Sequence, residues 1–175
     1  MAALFWQYVF YGFCGFLLEV ALAKTIRSPK QDRKCHLFLP VCPVYGVGAL
    51  AILLLPPALK ASPLLLFLGG ALAATAVEWS FSLFYEKAVG VAFWDYSALP
   101  LNLGGRVCLL FSFFWGLLAL PLVYTVAPGV ARWCAGLPTA LTAFFLPVYV
   151  SDALLSLALL RRGGTDALRW YAPAR

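Results

Sequence analysis

Three acids, Glu19, Glu78 and Asp152, stand inside runs of apolar residues. A charge at the centre of a bilayer costs roughly 2.5–3.5 kcal/mol on insertion scales, so such a group persists when it is paired, protonated or turned toward a polar cavity. Spacing gives each acid polar company. Ala71, Thr75, Glu78, Ser82 and Tyr85 recur at steps of four, three, four and three, and therefore share one helical face. Gly12, Gly15 and Glu19 form a second stripe with Tyr8 above it, and Tyr149, Asp152 and Ser156 form a third. Small and polar residues on one stripe mark surfaces where membrane helices meet. Two chemistries fit. The carboxyl groups act as hydrogen-bonded glue between helices, or they line a shared polar cavity open to the cytoplasm.

Arg106 is the natural counter-charge. It follows Asn102, Gly104 and Gly105 at the start of an apolar run. Backbone N–H groups freed by the glycines, a helix dipole and the guanidinium could hold an anion, or Arg106 could pair with Glu19 or Glu78. Trp94, Asp95 and Tyr96 lie on the same loop and could form a rim or lid, although Trp and Tyr also serve as interfacial anchors. Other chemistry lacks support. There is no GxxxxGK[ST] phosphate loop, no HExxH helix and no GxSxG elbow. His36 has no obvious Ser or Cys partner for catalysis. Cys35 and Cys42 are too widely spaced, with too few companions, for a metal site. Cys14, Cys108 and Cys134 sit in or beside apolar runs, where cysteine acts as a small hydrophobe. No metal or cofactor is expected, and no catalytic residue is assigned.

The elements that position these residues follow from length. A helix needs about 20 apolar residues to cross a bilayer. Five candidate spans emerge, at about 4–23, 41–59, 64–85, 107–126 and 137–160. The second is interrupted by Pro40, Pro43, Pro56 and Pro57, so it is expected to be kinked or re-entrant. The fold class is therefore all-α, an integral membrane bundle of about five transmembrane helices. It forms one transmembrane domain over 1–160, followed by a basic cytoplasmic tail, 161–175. The N-terminus before the first span has no Lys or Arg, and no clear small-x-small cleavage site follows, so that span is read as a retained helix. The connection 86–106, EKAVGVAFWDYSALPLNLGGR, is too rich in aromatic residues to be disordered by composition. It is expected to fold against the cytoplasmic end of the bundle.

Composition agrees. Of 175 residues 63% are hydrophobic and 11% charged, against about 25% charged in a soluble domain, so lipid must wet much of the surface. The net charge of +6 does not point to nucleic acid, because the basic residues occupy short loops and the C-terminal tail. Five spans put Lys24, Arg27, Lys30, Arg33, Lys34, Lys87, Arg106, Arg161, Arg162, Arg169 and Arg175 on one side and only Lys60 and Arg132 on the other. Basic loops stay in the cytoplasm. The expected location is the cytoplasmic (inner) membrane, with the N-terminus outside and the C-terminus inside.

The segments GFLLEV (Gly15–Val20), LPVCPVYGVGA (Leu39–Ala49), AVEWSFSLFYEK (Ala76–Lys87), FWDYS (Phe93–Ser97) and LNLGGRVCLLFSFFWG (Leu101–Gly116) together resemble the bacterial family of CmpB-like ABC-transporter permeases. The resemblance covers about two-thirds of the chain, in order. It implies a polytopic bacterial membrane protein with a cytoplasmic motif loop. The family-like polar positions are Glu19, Cys42, Pro43, Tyr45, Glu78, Glu86, Trp94, Asp95, Tyr96, Asn102, Gly105 and Arg106. The link before the third span, Pro56–Pro63, is shorter and less polar than the family pattern. Because the chain has no ATPase motif, the resemblance implies a separate ATP-hydrolysing subunit, with loop 86–106 as the best docking candidate.

The leading functional expectation is a transport component whose inward-facing polar site uses Glu19, Glu78 and Arg106, with Tyr45, Asn102 and Asp152 nearby and Trp94, Asp95 and Tyr96 as the gate. One alternative is a membrane-embedded assembly module whose buried charges are structural. Another is a small membrane enzyme on a lipophilic substrate. Five helices enclose little space, so passage of a solute would favour a homodimer.

Overall fold

The computed structural model describes residues 2–25 and 35–168. Arg27, Lys30, Arg33 and Lys34 of the basic loop, and Arg169 and Arg175 of the tail, lie outside the described residues. The described chain is an all-α membrane bundle. Its helices are α1 (Ala2–Thr25), α2 (Pro43–Leu53), α3 (Pro57–Lys60), α4 (Pro63–Phe84), α5 (Leu109–Pro121), α6 (Ala127–Ala135) and α7 (Thr139–Gly163). Wide π-type turns extend α4 through Tyr85–Val89 and join α5 to α6 through Leu122–Val126. Four continuous stretches are long and apolar enough to cross a membrane: Ala2–Thr25, Pro63–Val89, Leu109–Ala135 and Thr139–Leu168. Their outer faces carry large apolar side chains, with Leu72, Phe144 and Leu154 at 74%, 71% and 63% exposure. Such surfaces are stable only against lipid.

The expected second span is broken into a non-helical stretch and a short apolar helix, α2, which is not among those four. Helix α2 has 11 residues, which at 1.5 Å per residue reaches about 16 Å, half a hydrocarbon core. Residues 35–42 approach it without helical structure, and Pro40 and Pro43 explain why: neither has an N–H, and a residue before proline avoids the helical region. In a membrane such a strand must satisfy its backbone internally. Every backbone N–H from Leu37 to Cys42 finds an acceptor. Leu37 N–H donates to Ser156 Oγ (2.8 Å), Phe38 to Asp152 Oδ1 (3.1 Å) and Leu39 to Asp152 Oδ2 (2.9 Å). Val41 N–H reaches Leu39 O and Cys42 N–H reaches Gly12 O, both at 2.9 Å. Helix α2 then opens with Pro43 in its first turn, where a missing N–H costs nothing. Its other end is closed by Lys60, whose Nζ donates to Leu53 O at 2.8 Å.

Small residues set the close approaches. Gly15 on α1 faces the ring of Tyr45 on α2, and a Cβ at Gly15 would overlap it. Gly70 on α4 meets Ala119 on α5 in the same way. These contacts replace hydrophobic drive, which lipid does not supply between helices. Gly15→Ala is therefore expected to displace Tyr45 and cost about 1–3 kcal/mol, the range for overpacking a filled interior. Thermal unfolding in detergent, followed by loss of the monodisperse species, measures it.

The core has three parts. At one end Leu37, Tyr85, Val89, Val91, Leu160 and Leu168 pack together, with Phe81 and Phe93 against them. At the other end lie Trp6, Tyr11, Ala49, Val130 and Cys134. Between α2, α4 and α5, the residues Ile52, Leu66, Ala74, Trp115 and Ala119 interlock. Helix α6 lies beside α1, with Trp133 against Phe10. Loop 90–108 closes the first end through a short antiparallel ladder, Asn102 opposite Cys108 and Leu103 opposite Val107. Gly104 and Gly105 both take positive φ at its turn, which side chains with a Cβ rarely adopt.

Candidate functional site

Glu78 and Asp152 are buried and Glu19 is half-buried, and the hydrogen bonds of the three acids fall into two groups. Glu78 is 5% exposed and uses both carboxylate oxygens: Tyr96 OH donates to Oε1 at 2.9 Å and Trp115 Nε1 donates to Oε2 at 3.1 Å. The Trp115 ring lies 4.9 Å from the Tyr45 ring, and Tyr45 OH donates to Glu19 Oε1 at 2.7 Å. One turn from Glu78, Thr75 Oγ1 donates to Ser112 Oγ at 2.8 Å. This chain of contacts ties α1, α2, α4, α5 and the loop together around two carboxyl groups. Tyr96 is the loop's anchor, its ring stacked on Phe111 at 4.6 Å. Burial, then the neighbouring Glu78, holds the Tyr96 phenol well above its usual range, so it stays a proton donor.

Asp152 belongs elsewhere. Its carboxylate faces the backbone of the broken second crossing, and its helix mate Ser156 does the same while donating to Asp152 O at 2.6 Å. The expected line of Tyr149, Asp152 and Ser156 exists, but it meets a peptide backbone rather than the other two acids. Beside it lies a second buried cluster. His36 Nδ1 is 3.8 Å from Asp152 Oδ2, His36 Nε2 is 3.3 Å from Tyr149 OH, and Tyr149 OH is joined to Tyr8 OH by a short hydrogen bond. His36 is only 3% exposed, whereas its sequence neighbours placed it in a solvated basic loop. The prolines that follow His36 keep residues 35–42 out of a helix.

Arg106 pairs with neither Glu19 nor Glu78. Its guanidinium makes a short ion pair with Glu86 and donates to Gly104 O at 3.3 Å. The reason is geometric: the glycine turn folds Arg106 back over the loop, and the wide turn after Phe84 brings Glu86 to meet it. The backbone N–H groups offered for an anion are also occupied. Gly105 N–H donates to Asn102 Oδ1 at 3.0 Å and Arg106 N–H to Leu103 O at 3.2 Å. Arg106→Gln is expected to leave stability nearly unchanged, because the Glu86 carboxylate it pairs with is solvent-exposed. Urea or thermal unfolding of the two proteins side by side checks this.

The rest of the loop is a knot of local bonds. Trp94 Nε1 donates to Arg106 O (2.9 Å), Tyr96 N–H to Gly105 O (2.8 Å) and Asn102 Nδ2 to Leu99 O (2.7 Å). Asp95 Oδ1 accepts from Ser97 N–H at 2.9 Å, and that backbone bond holds its carboxyl below the usual Asp range. Of the aromatic–acidic triplet, only Tyr96 reaches the buried acids; Trp94 and Asp95 fix the loop that carries it. Trp115 was not singled out in the sequence, although a buried indole N–H in an apolar span requires an acceptor. Among the described residues, no group of three or more His, Cys, Asp or Glu side chains could hold a metal ion. An open groove of about 620 Å³, lined by Gln7, Leu53, Pro57 and Lys60 among others, lies at the opposite end of the bundle from the loop.

A sequence model of the family described as "Putative ABC-transporter type IV" matches residues 6–158. Comparisons with curated proteins and with solved structures gave no match.

Proposed function

The chain belongs to this ABC-transporter family, and from that premise we propose that it is the membrane component of a transporter whose ATP-hydrolysing subunit is a separate polypeptide. The chain itself has no phosphate-binding loop. The bundle lies in the cytoplasmic (inner) membrane with the N-terminus outside. The end that carries Lys24, Lys87, Arg106, Arg161 and Arg162 faces the cytoplasm, because basic residues are retained there. Loop 86–106 is the docking surface for the ATP-hydrolysing subunit.

One observation carries this reading: the loop between α4 and α5 sends Tyr96 inward to the buried carboxylate of Glu78. A push on the loop is thereby felt by the Glu78–Trp115–Tyr45–Glu19 contacts between four helices. The inward-facing polar site is this network, with Arg106 and Glu86 holding the loop rather than the solute.

The test is ATP turnover of the purified complex in liposomes. Glu78→Gln keeps the shape but leaves one acceptor oxygen for two donors, and is expected to lower turnover by about tenfold, equivalent to about 1.4 kcal/mol. Unchanged turnover at equal folded yield would remove Glu78 from the transport cycle. A fall in folded yield with normal turnover per complex would instead favour the reading as an assembly module, which the fully satisfied carboxylate oxygens also support.

A further inference from the structure

Where the second crossing turns from strand to helix, two thiols meet. Cys35 Sγ and Cys42 Sγ are 3.3 Å apart, across the non-helical stretch that Asp152 and Ser156 hold from inside. Cys42 is 4% exposed, while Cys35 is half-buried at the outer lip. Cys42 is also fixed in place, because its N–H donates to Gly12 O and it precedes the first residue of α2. Spacing had ruled this pair out as a metal site but said nothing of its two sulfurs touching. The other cysteines lie on different elements, Cys14 on α1, Cys108 on the β-ladder and Cys134 on α6.

We infer that Cys35 and Cys42 form a reversible dithiol–disulfide pair, a redox-modification site whose oxidant is a hydroperoxide. The accessible sulfur reacts first. The Cys35 thiolate attacks the near peroxide oxygen, so an S–O bond forms, the O–O bond breaks and the far oxygen leaves as alkoxide or hydroxide, taking up a proton. Cys35 is then a sulfenic acid, oxidised by two electrons. The Cys42 sulfur attacks the Cys35 sulfur, the S–S bond forms, and the departing hydroxide takes the Cys42 proton as water. With hydrogen peroxide the balance is two thiols and one peroxide giving one disulfide and two waters. A small-molecule dithiol reverses it by exchange.

The consequence is local and mechanical. The disulfide closes a ring around His36–Val41, a stretch that lacks helical bonds. The oxidised form thus fixes this stretch against α1 and α7, and the reduced form leaves it held by hydrogen bonds alone. This inference does not depend on the transport reading.

Full-length protein in detergent, fully reduced and then treated with hydrogen peroxide, provides the test. Cys35 and Cys42 fall in the same tryptic fragment, Cys35–Lys60, which contains no internal Lys or Arg. The expected fragment after peroxide is lighter by two hydrogen atoms and refuses maleimide, and dithiothreitol restores both properties. In Cys42→Ser the sulfenic acid on Cys35 should be captured by dimedone. The inference is overturned if both thiols still react with maleimide after peroxide has oxidised Met1. It is equally overturned if Cys35 goes on to sulfinic acid in the wild type, or pairs with a cysteine other than Cys42.

Discussion

Asp152→Ala is expected to be among the most destabilising single substitutions in this chain. The aspartate accepts hydrogen bonds from Phe38 N–H and Leu39 N–H, and its removal leaves two part-buried backbone donors without these acceptors. A buried donor left unpaired costs about 1–3 kcal/mol, and two part-buried donors together are expected to cost about 2–3 kcal/mol. Asp152→Asn separates charge from geometry. Its single amide oxygen can serve only one of the two donors, and its NH2 group faces the other, so it should fall between wild type and alanine. Thermal unfolding in a mild detergent, with tryptophan fluorescence as the probe, ranks the three proteins. Equal stability of Asp152→Ala and wild type would mean that the stretch 35–42 does not depend on the Asp152 carboxylate.

The second large effect concerns Trp115, whose indole fills the space beside Gly48 and donates to Glu78. Trp115→Ala is expected to cost about 3–5 kcal/mol, the usual price of an aromatic-to-alanine change in a filled core. Trp115→Phe keeps most of the ring and deletes the donor, so its smaller loss isolates the hydrogen bond to Glu78. Combining Trp115→Phe with Glu78→Gln completes a double-mutant cycle. A coupling above about 0.5 kcal/mol is expected, because the two groups are in direct contact. Additive losses would mean that Trp115 acts by packing alone.

Much of the frame was legible in the residues, for definite reasons. Lipid solvation forces long apolar runs, so α1, α4, α5 and α7 stand out by length alone. The break in the second crossing was written in Pro40 and Pro43, which cannot donate to a helix. The three- and four-residue steps put Thr75 and Glu78 on one face, and that face meets Ser112 and Trp115 of α5, a partner the stripes did not name. Partnerships were harder to read. Asp152 binds main chain, and backbone donors are the same in every residue type except proline. Arg106 finds Glu86 only because two left-handed glycines reverse the loop. Cys35 and Cys42 meet only because the strand between them is folded in, which no spacing rule anticipates. The π-type turn that joins α5 to α6 at Pro121 likewise lengthened the fourth crossing beyond 107–126, since a wide turn lets the helix continue past a residue without an N–H.

The account stands or falls on a separate ATP-hydrolysing subunit bound at loop 86–106. The direct measurement is affinity purification of the tagged protein from its native membrane in mild detergent, with a photo-crosslinking residue at the exposed Leu101, and identification of what is captured. The account predicts a stoichiometric subunit that carries a phosphate-binding loop and is cross-linked through that position. Recovery of the protein alone, or with a partner that hydrolyses no ATP, would contradict it.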